Sequence, residues 1–415
     1  MKAEIVNVGD EILLGQIVNT NATFLSKALV SAGIEPKWIT VLADDREAIL
    51  NGLKIALKRA DVVVVTGGLG PTHDDLTKYA AAEFFQSPLK IDPGIYKGLK
   101  RRFEERGRPM PEVNRNQAEV PTKATILSNP IGTAPGLLFE KDGKLCFILP
   151  GVPREMERMT RESVLPILAR RFEKKRTCLR FKTLRTTGIF ESKLMEVLGD
   201  VQKIEQVAKV AFLPHFYGVD VRLTVKSNSD SECEERLKKA EALVRARVER
   251  YIYGVDEDTL EQKVAELLFQ TKQTVAVAES CTGGLLSHKL TNVPGSSDYF
   301  DRAVISYSNR SKIENLGVSP HTLEQFGAVS EETAREMAEG VRKMAGTNWG
   351  LSTTGIAGPG GGTAEKPVGL VYIGLSGEEE STVRRFIFTT DRLANKERAA
   401  YAALEILRRH LLKFI

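Results

Sequence analysis

The chain has 415 residues, more than one ordinary hydrophobic core organises, so two or three domains are expected. Its 42% hydrophobic and 27% charged residues exclude a disordered chain, and no apolar run reaches the length of a membrane span. A formal net charge of +5, from 59 basic and 54 acidic residues, suits a protein that handles phosphorylated metabolites and falls short of the dense basic stripe of a nucleic-acid binder.

In chain order, residues 3–8 read as a short apolar strand closed by Gly9-Asp10-Glu11. A helix is expected over 22–32, stopped by Gly33, then a strand over 38–42. Residues 46–59 place Ile49, Leu50, Leu53, Ala56 and Leu57 on one helical face. The run Val62-Val63-Val64-Val65 predicts a strand buried on both faces, ending in Gly67-Gly68-Leu69-Gly70-Pro71-Thr72. This rhythm implies a parallel sheet wrapped by helices, with ligands bound at the carboxyl ends of its strands. Four carboxylates follow those strands: Asp10, Glu11, Asp74 and Asp75. Beside glycine loops they suggest a divalent cation bound together with phosphate, although Asp74-Asp75 also reads as a helix cap.

The texture changes near Pro166. The basic stretch 169–182 reads as a solvated connector into a small α+β module, with an alternating strand over 219–225 and an amphipathic helix over 231–248. A third unit starts near Asp256. It carries a helix over 259–271, a strand over 274–278, a helix over 281–291 and a strand over 302–307. A helix over 331–345 capped by Ser330, strands over 349–354, 368–375 and 382–388, and a closing helix over 395–412 complete it. The four cysteines, Cys146, Cys178, Cys233 and Cys281, are scattered, and the chain opens Met1-Lys2-Ala3-Glu4-Ile5 without a signal-peptide plan. A reducing cytoplasm is therefore the expected compartment.

The chemistry concentrates in the third unit. In Val277-Ala278-Glu279-Ser280-Cys281-Thr282-Gly283-Gly284 a serine sits where a buried strand hands over to a helix. Unpaired N–H groups there suit an oxyanion, and Gly283 and Gly284 allow close approach. The same serine could simply be an N-cap, and Cys281 is an alternative nucleophile. None of the five histidines offers a convincing base. Ser306-Tyr307-Ser308-Asn309-Arg310-Ser311-Lys312 brings Tyr307 and Lys312 towards the same sheet edge, and a lysine acts as base if burial lowers its pKa. Thr353-Thr354-Gly355-Ile356-Ala357-Gly358-Pro359-Gly360-Gly361-Gly362 ends a strand in a glycine-rich loop that suits a phosphate, with Thr354 placed to bond the serine or the lysine.

These three motifs, in this order and spacing, resemble the C-terminal amidase domain of the CinA (competence/damage-inducible protein A) family. The first glycine loop, Asn129-Pro130-Ile131-Gly132-Thr133-Ala134-Pro135-Gly136 and Leu149-Pro150-Gly151-Val152-Pro153-Arg154-Glu155-Met156 resemble its N-terminal half, which has the molybdopterin-binding fold. The resemblance implies an α/β multidomain chain: a parallel-sheet molybdopterin-binding-like domain over 1–170, a KH-like α+β module over 171–255 and an α/β amidase domain over 256–415.

The resemblance also implies two activities. One is hydrolysis of nicotinamide mononucleotide to nicotinic acid mononucleotide and ammonia, without a cofactor. Ser280 is then the nucleophile, Lys312 its base, and Tyr307 and Thr354 supporting hydrogen-bonders. Cys281, Thr282, Gly283, Gly284, Asn309, Gly355, Gly358, Gly360 and Gly361 would line the substrate. The other is hydrolysis of ADP-ribose to AMP and ribose phosphate. It would use a divalent metal (magnesium or cobalt, with potassium as a further ion) at Asp10, Glu11, Asp74 and Asp75. Phosphate would lie at Gly67, Gly68, Gly70, Thr72, Thr77, Asn129 and Gly132. A homodimer is the default assembly. The middle module has no G-x-x-G pair among Gly188, Gly199, Gly218 and Gly254, which argues against RNA, and no membrane partner is expected. A non-catalytic pterin- or nucleotide-binding protein and an adaptor in DNA uptake or repair are the competing readings.

Overall fold

The computed structural model describes residues 1–72, 74–105, 107–172 and 178–413. Lys174, Lys175 and Arg176 of the expected basic connector, and His73, lie outside them. The chain divides into two compact units, residues 1–180 with 225–235 and residues 181–224 with 236–415, so the middle module is shared between them.

The first unit is built on a six-stranded sheet. Its strands run in the order Glu35–Leu42, Lys2–Val8, Val62–Thr66, Lys144–Leu149, Gly136–Lys141, Thr125–Leu127. The first four are parallel, and the last two add antiparallel to one edge. The parallel part is the sheet expected, and the antiparallel edge adds to it. The tight turn at Asp142-Gly143, both at positive φ, forces the chain straight back on itself. The four valines explain the sheet's two faces. Val63 and Val65 pack with Ile49, Leu53 and Ala56 of the helix Arg46–Arg59, while Val62 and Val64 pack with Leu25 and Leu29 of the helix Thr20–Ser31.

The middle segment forms an antiparallel sheet in the order Lys209–His215, Gly218–Ser227, Cys178–Thr186, Ile252–Val255, with the helix Asp230–Val248. The C-terminal segment has a five-stranded sheet in the order Phe300–Ile305, Val275–Glu279, Trp349–Gly355, Leu370–Ser376, Ser381–Ile387. Its first three strands are parallel and its last two antiparallel. The helices Leu260–Thr271 and Arg392–Leu411 contribute Leu260, Val264, Leu268, Leu404 and Leu407 to the core on one side. The helix Glu331–Ala345 contributes Met337 and Val341 to a second cluster, with Ala276 and Ala278 of the central strand. No helix among the described residues is long and apolar enough to cross a membrane.

Candidate functional site

The parallel register decides which loops meet. Glu279 pairs with Ile305 on one side and Thr353 on the other, so the ends of three adjacent strands bring Ser280, Ser306 and Thr354 to one edge of the sheet. The backbone N–H of Ser280 donates to the Thr353 carbonyl at 2.9 Å, and that of Ser306 to the Glu279 carbonyl at 2.8 Å. Beyond Ser306, the Ser308 hydroxyl accepts from the N–H of Ser311 and starts the helix Asn309–Leu316. One turn in, Lys312 points back under the sheet edge.

There the Lys312 ammonium lies 3.1 Å from Ser280 Oγ and donates to the Ser306 carbonyl at 2.8 Å. Lys312 is only 1% exposed and has no carboxylate partner among the described residues. Burial lowers its pKa, offset in part by the neighbouring Cys281 thiol. Burial pushes the Cys281 thiol itself up to about 12, which disfavours its thiolate.

The segment after Ser280 differs from the expected continuous helix over 281–291. Residues 281–284 form a turn, and the helix spans Leu285–Thr291. Gly283 and Gly284 adopt φ of 59° and 97°, a conformation costly for other residues. The fully buried Glu279 carboxylate accepts from the N–H groups of Gly284 at 2.9 Å, Leu286 at 3.1 Å and Ser287 at 2.8 Å. It therefore takes the helix N-terminus for itself. The N–H groups of Cys281, Thr282 and Gly283 fall outside this cap and lie in the turn directly after the serine. Thr282 is fixed by a 2.7 Å hydroxyl contact with Thr353.

Two expected supports are employed elsewhere. The Thr354 hydroxyl donates to the Ala328 carbonyl at 2.6 Å rather than bonding Ser280 or Lys312, because Thr354 faces the loop before the helix Glu331–Ala345. Tyr307 is 61% exposed at the rim, and its hydroxyl accepts from Arg392 at 2.9 Å. Arg392 also donates to the Gly358 carbonyl at 2.7 Å, tying Tyr307 to the glycine loop. Asn309 is exposed in the first helical turn. Gly355 and Gly358 pack closely on the segment 368–371 and so serve the loop's fold, while Gly360 and Gly361 stay open. Lys396, one turn after Arg392, brings its ammonium beside Gly283. Sequence reasoning missed Glu279, Arg392 and Lys396. The available signal was an acid immediately before the serine and two cations four residues apart behind the Asp391 cap.

In the first unit, a cavity of about 540 Å³ is lined by Gly67, Gly68 and Gly70 and by Glu11, Asp74 and Asp75. Asp44, Gln117, Thr133 and Glu155 also line it, and sequence reasoning had not singled them out. Gly67 and Gly68 have positive φ, and a Cβ on Gly67 would strike the Val8 carbonyl. Thr77 is buried behind Gly68, its hydroxyl without a hydrogen-bond partner among the described residues. Asn129 is a loop staple: its amide donates to Ala134 and Glu155, and its carbonyl accepts from Gly132. Thr72, Thr77, Asn129 and Gly132 thus shape the loops rather than line the cavity.

Of the four expected metal ligands, Glu11, Asp74 and Asp75 line this cavity and Asp10 does not. Asp10 sits in a short helix, Asp10–Leu13, where its N–H donates to Asp44 and its carboxylate accepts from the Asp44 N–H. Asp75 accepts from the N–H groups of Gly70 and Thr72 and from the Thr72 hydroxyl. Among the described residues no three acidic, histidine or cysteine side chains converge as a metal site. The oxygen donors suit a hard cation in kind, and burial with the nearby Asp10, Glu11 and Asp75 charges raises the pKa of Asp44. Asp75→Ala should cost about 2 kcal/mol of stability, because it strands the N–H groups of the glycine loop; a thermal melt of the variant measures this.

Family profiles match three stretches: "Probable molybdopterin binding domain" over residues 4–170, "Damage-inducible protein CinA KH domain" over 181–254 and "CinA C-terminal domain" over 257–411. A putative competence-damage inducible protein of Caldicellulosiruptor saccharolyticus is 44% identical over 414 residues, covering 100% of both chains. A CinA-like protein of Chloroherpeton thalassium is 43% identical over 417 residues, covering 98% of this chain and 99% of the other. Among solved structures, a competence/damage inducible protein of Agrobacterium tumefaciens is 38% identical, covering 37% of this chain and 93% of its own, with a TM-score of 0.36. The protein CinA with unknown function from Thermoplasma acidophilum is 36% identical, covering 40% of this chain and 97% of its own, with a TM-score of 0.38.

Proposed function

The chain belongs to the CinA family, and from that premise we propose that its C-terminal domain is a serine–lysine amidase acting on the carboxamide of nicotinamide mononucleotide. The observation that carries this reading is the buried Lys312 ammonium 3.1 Å from Ser280 Oγ. A neutral lysine has one lone pair and two N–H groups. One N–H stays on the Ser306 carbonyl, which aims the lone pair at the serine.

Ser280 Oγ attacks the carboxamide carbon as its proton passes to Lys312 Nζ. The carbonyl oxygen becomes an oxyanion facing the turn N–H groups of Cys281 to Gly283. The C–N bond then breaks, Lys312 returns the proton to the nitrogen, and ammonia leaves an acyl-serine. Water attacks the ester carbon and gives its proton to Lys312, which passes it to Ser280 Oγ as the acid departs. Arg392 and Lys396, at the rim beside Gly358 and Gly283, supply positive charge for the nucleotide's phosphate.

For the N-terminal domain we propose hydrolysis of ADP-ribose supported by a divalent cation. The support is a cavity that combines positive-φ glycines with acidic walls. The cation would lie against Glu11, Asp44, Asp74 or Glu155, where it would polarise a phosphoryl oxygen.

The deciding experiment is ammonia release from nicotinamide mononucleotide by the full chain, with and without chelator, beside Ser280→Ala. The expected result is wild-type activity indifferent to chelator and lost in the variant. A variant that kept full activity would sink the serine mechanism. ADP-ribose hydrolysis by the same chain should instead vanish with chelator and return with added magnesium or cobalt.

A further inference from the structure

We infer that the second unit holds another small-molecule site, for a planar aromatic anion of the nucleoside monophosphate class, in a cavity that shares no lining residue with the Ser280–Lys312 site. This cavity of about 670 Å³ falls in the usual range for ligand sites of roughly 300–1,000 Å³. One wall is a face of the closing helix, with Arg398, Ala402, Glu405, Ile406 and Arg409 at helical spacing. A second wall is the edge strand Ser381–Ile387, and a third comes from residues 187–190 and 216–217 of the middle module.

Three features point to one kind of occupant. The first is flat apolar surface. Phe190 and Phe216 are 78% and 55% exposed, and Phe386 and Phe388 stack at 5.4 Å between centroids. Such rings favour a planar partner.

The second is uncompensated positive charge. Arg384 and Arg398 have no carboxylate partner among the described residues, and Arg398 donates only to the Phe216 carbonyl, at 3.1 Å. The acid beside them, Glu405, is 6% exposed and already neutralised by Arg408 at 2.7 Å and Arg409 at 2.5 Å. Glu380, at the start of the edge strand, is the one further acid lining the cavity among the described residues, so the arginines outweigh it. Guanidinium groups match a phosphate through paired donors.

The third is an orphan. The Thr382 hydroxyl is buried at the cavity wall without a hydrogen-bond partner among the described residues, and a turn of its side chain towards the cavity would let a ligand oxygen satisfy it.

Trp349 supplies the readout, because its ring lies 6.1 Å from that of His410, which lines the cavity. The chain has two tryptophans, so Trp38→Phe leaves Trp349 as the sole reporter. AMP is titrated into this full-length chain, with adenosine as the phosphate-free control and calorimetry for stoichiometry. The expected result is a saturable change in Trp349 fluorescence that Arg384→Glu and Arg398→Glu each weaken about tenfold, the loss of one charge-assisted contact. It should be much weaker for adenosine and unaffected by Ser280→Ala. A thermal melt shows that the arginine variants remain folded. The proposal is overturned by no AMP binding at millimolar concentration, by equal binding of adenosine, by indifference to both arginine variants, or by loss in Ser280→Ala. It is equally overturned if sedimentation shows self-association that the arginine variants abolish, since a second copy would then occupy the cavity.

Discussion

Lys312→Met will abolish the proposed amide hydrolysis while leaving the protein at least as stable as the parent. The side chain is almost wholly enclosed, and the structure supplies one hydrogen bond to a backbone carbonyl and one to the serine. A charged amine there is opposed by burial, so methionine of similar length removes a polar liability and keeps the packing. Without the base, kcat should fall by on the order of 10⁴, and Ser280→Ala combined with Lys312→Met should cost little more than either alone, because the two act as a unit.

The pH dependence follows from the same group. Its pKa in the folded protein lies below the ordinary lysine value of 10.5. The base must be neutral to act, so activity rises with pH and reaches half its limit below 10.5. Between the folded value and 10.5 the unfolded chain holds a proton that the folded chain lacks, so stability also rises with pH across that window. Below the folded value the penalty is fully present. Lys312→Met should flatten this dependence in melts recorded from neutral to alkaline pH.

Glu279→Gln will be the second most damaging change, although its carboxylate touches no substrate. It holds three N–H groups of the turn and helix that follow the nucleophile. An amide offers one oxygen in place of two and turns an N–H₂ towards those donors. Hydrogen bonds to a charged acceptor contribute about 1.5–3 kcal/mol each, and the turn they shape carries the oxyanion donors. A displaced donor costs roughly 10²-fold in kcat. The expected pattern is a kcat loss of that order with KM near the parent value and an unchanged pH profile, since Lys312 is untouched. A variant whose KM alone moved would assign Glu279 to substrate binding instead.

The run of valines over 62–65, the strand before Ser280 and the cap at Ser330 were all legible, because periodicity and capping act over a few residues. The motif order was enough to name Ser280 and Lys312 together. The partners of Thr354 and Tyr307 were not legible: each bond joins residues far apart, Thr354 to Ala328 and Tyr307 to Arg392. Glu279 fell just past the end of the expected strand, and nothing local distinguishes a surface acid from one that turns inward to cap the next helix.

The sequence by itself thus determined the α/β organisation, the loops at strand ends and the identity of the nucleophile and base candidates, all consequences of local pattern and residue chemistry. Only the tertiary structure decided which groups those loops present to one another. The parallel register sets Ser280 between Ser306 and Thr353, burial moves the proton affinity of Lys312, and the cap by Glu279 occupies the helix end and leaves the turn N–H groups beside Ser280. The N-terminal acids show both cases. Asp10 takes its partner from a distant loop, the Asp44 N–H, whereas Asp75 accepts from the N–H groups of Gly70 and Thr72 in its own. Hydrogen-bond partners and desolvation depend on what the fold brings within a few ångströms, and that distance is fixed by packing between strands that the chain order alone leaves open.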